Sequence, residues 1–251
     1  MPRLLLSLLL VLGITALSTA AESPRPPNII FILADDLGYG DLGSFGQTKI
    51  RTPHLDRLAA EGMKLTQHYA GNAVCAPSRG VLMSGQHPGR TTIRANRGMA
   101  SGGIRVVGQP ETEGQFPIPD ADVTLAEVLQ QAGYTTGGFG KWGLGGPDST
   151  GSPLRQGFDR WFGYNCQAVA HNFYPTYLWD DDQVIQLDNP PFAAHDKLQP
   201  DEDPNDPASY ERFQGNEYSA DLIADEALNF IRDHQDQPFF LSRPTPLPPL
   251  P

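Results

Sequence analysis

Cysteine is scarce in this chain: 251 residues contain two, Cys75 and Cys166. Two cannot staple a small scaffold, though a single bond between them in an oxidising compartment stays open. Basic charge is also in short supply. Eighteen Lys and Arg face 29 Asp and Glu, for a formal net charge of −11, which excludes a surface built to wrap nucleic acid or another polyanion. The acidic residues bunch in DDD (180–182) and PDEDPNDP (200–207), which read as solvated loops. There is no internal repeat and no cluster of histidine and cysteine at zinc spacing. Past the first twenty residues, no apolar run approaches the roughly 20 residues a bilayer span needs.

The one long apolar run opens the chain. Arg3 precedes LLLSLLLVLGITAL, and the small residues Ser18, Thr19 and Ala20 follow, the pattern of a signal peptide cleaved after Ala20 or Ala21. The run is short for an anchor. The mature chain is therefore expected outside the cytosol, secreted or periplasmic, or lysosomal or extracellular in a eukaryote, with no stable membrane insertion after cleavage. Its length allows one large domain, or one domain and part of another.

Strands and helices alternate along what remains. NIIFILA (28–34) is a continuous Ile-rich run, as expected of a strand buried on both faces of a parallel sheet, and it ends in Asp35-Asp36. TPHLDRLAAEG predicts a helix capped by Thr52, with Pro53 in its first turn, Leu55, Leu58 and Ala59 on one face and Gly62 closing it. TLAEVLQQAG (124–133) repeats the plan, with Thr124 and Glu127 at capping-box spacing. YTTGGFGKW reads as a second strand, SADLIADEALNFIRDHQ (219–235) as an amphipathic helix and PFFLS (238–242) as a third strand. Such alternation implies an α/β fold with a mostly parallel sheet flanked by helices. From NPPFAAHDKLQP to about residue 209 the chain reads as a surface excursion.

Ligands of such sheets bind beyond the carboxyl ends of the strands, where Asp35, Asp36 and Lys141 are expected. Adjacent carboxylates that stay ionised suit a hard cation, Ca2+ or Mg2+, although a solvated turn or helix cap also explains the pair. The glycines of DDLGYGDLGSFG favour a loop wrapped closely around a ligand. In AVCAPSRGVLMSG (73–85), Pro77 fits the first turn of a helix and puts Cys75 at its positive end. Arg79, a fixed fork of donors that matches oxyanions, lies within one turn. An anionic tetrahedral substrate, or a thiolate nucleophile, suits that position.

CAPSRG resembles the C-x-P-S-R signature of the type I sulfatases, members of the alkaline phosphatase superfamily. The likeness runs from about residue 27 to about residue 242. NIIFILADDLGYGDLGSFG is similar to that family's metal-binding strand and loop, TPHLDRLAAEGMKLTQHYA to its first helix and following strand, GYTTGGFGKWGLG to its lysine strand and GFDRWFGY to its next element. The resemblance implies that Cys75 is oxidised to formylglycine by a formylglycine-generating enzyme. It further implies that Asp35, Asp36 and the converted residue 75 bind a divalent cation, usually Ca2+. Arg79 would hold the formylglycine hydrate, and Lys141 a sulfate oxygen. The hydrate would attack sulfur and expel the alcohol; the hemiacetal sulfate would then collapse to aldehyde and sulfate. A sulfated sugar or an aryl sulfate is the implied substrate, and no nucleic acid.

Some positions depart from that pattern. Many members carry histidine two residues beyond the lysine, where this chain has Gly143; His171 in VAHNFYP is the candidate to supply an imidazole from a neighbouring loop. After QPFFL the chain reads SRPTPLPPLP, and so much proline is expected to end the strand at Ser242, through a slipped frame or an interrupted gene. The expected segments are a signal peptide (1–21), an incomplete catalytic domain (22–242) and an atypical tail (243–251). The family's further ligands, its second lysine and its smaller C-terminal sheet would fall past this point, which implies a weak cation site and an open sheet edge. Sulfuric ester hydrolysis is the expected function. The alternatives are a phosphatase or phosphonate hydrolase of the same superfamily, and an inactive or sulfoglycan-binding relative.

Overall fold

The computed structural model describes residues 25–98, 110, 113–193 and 196–245. The leader expected at 1–21, and the tail beyond residue 245, lie outside the described residues. Among these residues six strands form one mixed sheet: β1 (Ile29–Ala34), β2 (Thr135–Lys141), β3 (Arg160–Tyr164), β4 (Tyr177–Asp180), β5 (Gln183–Gln186) and β6 (Phe239–Thr245). Their order is β1-β6-β2-β3-β4-β5. The first four run parallel, and β4 and β5 add an antiparallel hairpin at one edge. Among the described residues four α-helices accompany the sheet: α1 (Pro53–Glu61), α2 (Cys75–Ser84), α3 (Leu125–Gln131) and α4 (Ser219–Asp233).

The helices cover both faces, so the central strands carry apolar residues on both sides. Ala76 and Met83 of α2 and Ala126 of α3 pack with Trp142, Trp161 and Phe240 on one face. Ile223, Ala227 and Phe230 of α4 pack with Phe139, Phe239 and Leu241 on the other. Phe239 and Phe240 thus face opposite cores, as the two-residue period of a strand requires. At α3, Thr124 accepts the Glu127 N–H at 3.2 Å and Glu127 accepts the Thr124 N–H at 2.7 Å, the capping box read from the sequence. No described helix is long and apolar enough to cross a membrane.

Several elements differ from expectation. The strand expected to stop at Ser242 continues through Pro244 to Thr245. Its pairing with β2 ends at Ser242 while its pairing with β1 goes on to Thr245, so the missing N–H of Pro244 falls where one side of the strand is no longer laddered. The strand expected after α1 is absent: Met63–Ala70 is irregular, with no ladder partner among the described residues. Helix α1 buries no residue, and Leu58 is 65% exposed. Thr52 does not cap α1 with its side chain; its hydroxyl accepts the Gly43 N–H and donates to Asp56 instead. The β4–β5 hairpin was not foreseen, because two four-residue strands carry too little pattern. DDD ends β4 and forms the hairpin's turn, and Asp180 and Asp181 are ion-paired with Arg160, not merely solvated. Strand β1 forms the other edge, with Ile30 and Ile32 exposed.

Candidate active site

At the carboxyl end of β2 the chain must place a lysine where three backbones converge. Gly140 and Gly163 are partners across β2 and β3, with φ of +136° and +144°. A Cβ on Gly163 would lie 2.1 Å from the Gly140 carbonyl oxygen, and one on Gly140 2.0 Å from that of Pro244. Only glycine permits both the conformation and the approach. Lys141 follows, 1% exposed.

Its ammonium reaches three of the other residues singled out in the sequence. Lys141 Nζ lies 2.5 Å from Asp35 Oδ2, 3.6 Å from Cys75 Sγ and 3.4 Å from His171 Nε2. Asp35 follows the last residue of β1, and Cys75 is the first residue of α2, with Pro77 in its first turn. One turn on, Arg79 is 4% exposed; it donates through Nη1 to the Lys141 carbonyl, and its Nη2 is 3.9 Å from Asp35 Oδ2. Burial lowers the guanidinium's pKa, and the charges of Asp35 and Cys75 oppose the shift. Its Nε is buried without a hydrogen-bond partner among the described residues. Two cations and a helix N-terminus thus surround the side chain at residue 75, an arrangement that receives an anion. Neither basic residue is the surface side chain it would be by default.

Asp36 stands apart. It is exposed, with φ of +56°, and takes no part in the Lys141 contacts. The two adjacent carboxylates are the donor type a hard cation takes, but Ca2+ takes about six to eight oxygen ligands. Among the described residues no three or more His, Cys, Asp or Glu side chains are placed so that they could hold a metal ion. With Asp35 also engaged by Lys141, the residues present do not fit a complete Ca2+ or Mg2+ site.

His171 arrives from the loop after β3. The Trp142 and Gly143 N–H groups bond the carbonyls of Tyr164 and Asn165, so that loop starts alongside the lysine segment and the turn Val169–His171 brings the imidazole back to Lys141. Gly143 has φ of +84°, and a Cβ there would meet the Gln167 side chain at 3.2 Å.

Sequence reasoning missed the residues that hold this loop. Gln115 accepts the Gln167 N–H at 2.8 Å and donates to Cys166 Sγ at 3.7 Å. Beside it Glu113 is buried, accepting from Tyr177 and Trp179 of β4. Desolvation pushes its pKa up to about 7 against these hydrogen bonds. Asn96 accepts the Ala76 N–H at 3.0 Å and so satisfies part of the α2 N-terminus. Only the capping preference of Asn could have marked any of these. The disulfide alternative fails, since both thiols are free and Cys166 is buried against Gln115.

The model of the sulfatase family matches residues 27–245. The chain belongs to the sulfatase family. It is 36% identical to rat (Rattus norvegicus) N-acetylgalactosamine-6-sulfatase, over 95% of this chain and 42% of that protein. It is 38% identical to human arylsulfatase A, over 90% of this chain and 42% of that one. A solved structure described as in complex with its substrate D-glucosamine-2-N,6-O-disulfate superposes with a TM-score of 0.62 at 26% identity, over 89% of this chain and 35% of the other. The chain thus spans well under half the length of these relatives. The fold is that of a sulfatase, α/β with a mixed sheet flanked by helices.

Proposed function

We propose that this chain forms the catalytic part of a sulfuric ester hydrolase that splits a sulfate monoester into alcohol and sulfate. One observation carries the reading: Lys141 Nζ stands 3.6 Å from Cys75 Sγ, and buried Arg79 lies one turn along the same helix. An anion presented to residue 75, at the N-terminal end of α2, meets the two fixed cations Lys141 and Arg79. Charge that builds on its oxygens during displacement is met without rearrangement.

Cys75, oxidised by a formylglycine-generating enzyme, would supply an aldehyde hydrate as nucleophile. Lys141 holds a sulfate oxygen, and Asp35 fixes the ammonium. Arg79 anchors the Lys141 backbone and orients the side chain at 75. His171 gives a proton to the departing alcohol oxygen from its place beside Lys141. Asp35 and Asp36 are the partial donor set for Ca2+, with Mg2+ the alternative, together with oxygens the described residues do not supply. The substrate class is a sulfated sugar or an aryl sulfate, supported by the names of the two relatives and by the ligand of the solved structure. Export through the segment 1–21 places the reaction in the periplasm, a lysosome or the extracellular space. The catalytic segment is 22–242, extended at least to Thr245 by β6.

Expression with a formylglycine-generating enzyme, followed by mass spectrometry of the peptide bearing residue 75 and by sulfate-release assays, tests this reading. An aldehyde at residue 75 and preference for sulfate over phosphate monoesters are expected. An unmodified thiol with no sulfate release would sink it; faster phosphate turnover would favour a phosphatase. A second reading is sulfoglycan binding without turnover, which needs the buried cations Lys141 and Arg79 but no nucleophile at residue 75. Sulfoglycan retention by a chain that releases no sulfate would establish that one.

A further inference from the structure

Beside His171, which lines it, a groove of about 310 Å³ is walled by aromatic side chains. Phe173 and Tyr174 form one wall. Phe192, Tyr210 and Phe213, from the proline-rich excursion, form the other. Asn172 ties the walls together: its Nδ2 donates to the Phe192 carbonyl at 3.1 Å and its Oδ1 accepts the Tyr174 N–H at 2.9 Å. The rings are held in place. Phe192 and Phe213 meet edge to face at 5.7 Å, and the Tyr210 hydroxyl donates to the Pro204 carbonyl at 3.0 Å.

The groove's charge says what it can accept. Among the described residues no Lys or Arg lines it and its carboxylate is Asp196. Arg212, 4.5 Å over the Phe213 ring and near enough to feel the Asp196 charge, is itself ion-paired with Glu202, so the surroundings of the groove keep a negative balance. Asp196 accepts the Ala193 N–H at 3.1 Å through one oxygen, and a carboxylate has about four acceptor sites. Asp196 repels a sulfate and accepts hydrogen bonds from hydroxyl groups. Aromatic faces bury the apolar face of a flat ring while polar groups at the rim read its edge. A purely aromatic ligand would leave Asp196 unmatched. A sugar ring offers both an apolar face and a hydroxyl edge.

We infer that this groove is a subsite for an uncharged sugar ring, which lies beside the sulfated unit whose ester is presented to residue 75. The inference rests on the hydrolase reading and narrows its substrate class to a sulfated oligosaccharide with an unsulfated neighbour. His171 stands at the boundary, because it lines the groove and is 3.4 Å from Lys141 Nζ.

Binding is measured apart from turnover. Saturation-transfer NMR on the full chain with lactose, cellobiose and N-acetyllactosamine is expected to show contact for at least one of them, centred on ring protons. In Tyr210→Ala and in Asp196→Asn that contact should weaken about tenfold, the worth of one aromatic or charged hydrogen-bonding contact. Tyr210 is 41% exposed, so its truncation leaves the fold intact. No transfer to any of the three sugars, or transfer unchanged in both variants, overturns the inference. Sulfate release from 4-nitrophenyl sulfate by the formylglycine-bearing parent chain tests the hydrolase reading separately: no release there would overturn that reading whatever the sugars show.

Discussion

Lys141 Nζ and Asp35 Oδ2 are 2.5 Å apart across 106 residues of sequence, joined because β1 and β2 flank β6 and end on the same side of the sheet. The pair is nearly buried, and it aims the ammonium at Cys75. A buried pair that loses one partner leaves the other charge uncompensated, so its two residues are not independent.

Removing the ammonium is expected to be severe. In a formylglycine-bearing chain, Lys141→Ala should lower sulfate turnover by about 10²–10³, the cost of one preorganised contact to developing charge. Steady-state kinetics with circular dichroism as a folding control would measure it. Turnover within a factor of a few of the parent would remove Lys141 from the site.

His171 gives a separate reading, because its side chain is exposed and its loss should spare the fold. His171→Ala is expected to cost about 10²-fold on substrates with a poor alcohol leaving group, the usual worth of a general acid. Substrates whose leaving group needs no proton should be spared. Equal rates with both would mean the imidazole moves no proton.

The two thiols should differ in reactivity. Cys166 is buried, and desolvation followed by the nearby Glu113 charge raises its pKa, so it stays a protonated, shielded thiol. An unconverted chain should titrate one thiol when native and two in denaturant; a fully converted chain should titrate none and then one. No reactive thiol in either state of an unconverted chain would mean a disulfide after all.

Glu113 predicts a pH dependence of stability. Its carboxyl, ordinarily near 4.5, is raised to about 7 in the fold. The folded state therefore holds the proton more tightly than the unfolded state. The associated stability is complete below about pH 4.5, is lost as pH rises towards 7 and is absent above it, in total about 3 kcal/mol. Urea titrations at pH 5 and pH 8 should show this loss in the parent. In Glu113→Gln, which cannot ionise, it should be largely gone; an equal loss in the variant would assign it elsewhere.

Gly163 tests the convergence of backbones under Lys141. Gly163→Ala combines a positive φ with a clash against the Gly140 carbonyl, and should cost about 3 kcal/mol or more. Thermal melts would register the loss. A variant as stable as the parent would show that β2 and β3 can separate here at little cost.

Much of this fold was legible in the sequence for physical reasons that are local. Strands β1, β2 and the start of β6 fall where the sequence placed strands, although β1, read as buried on both faces, is an edge strand with Ile30 and Ile32 exposed. Thr124 and Glu127 marked the start of α3 because a capping box needs only four neighbouring residues. The motif around Cys75 was readable in the same way, as a proline in a first turn with an arginine one turn on. Less visible were Thr52, which serves a distant loop, and β4–β5, whose strands form because β3 offers an edge to pair with. Leu55, Leu58 and Ala59 were read as one face of α1, and the structure buries none of them, leaving Leu58 65% exposed.

The sequence alone thus determined the residue types of the site, the α/β alternation and the family resemblance, since each depends on short spacings. Tertiary structure decided which of them meet. It ran β6 through Pro244 by leaving one side of that strand unpaired, and it kept Cys166 away from Cys75. It brought His171 to Lys141 by hanging the loop after β3 from Trp142 and Gly143. It also set Asp35 against Lys141 and left Asp36 in solvent, though the two aspartates are adjacent in the chain. Neighbours on a strand end point in different directions, and only the packed sheet fixes which of them faces the buried charge.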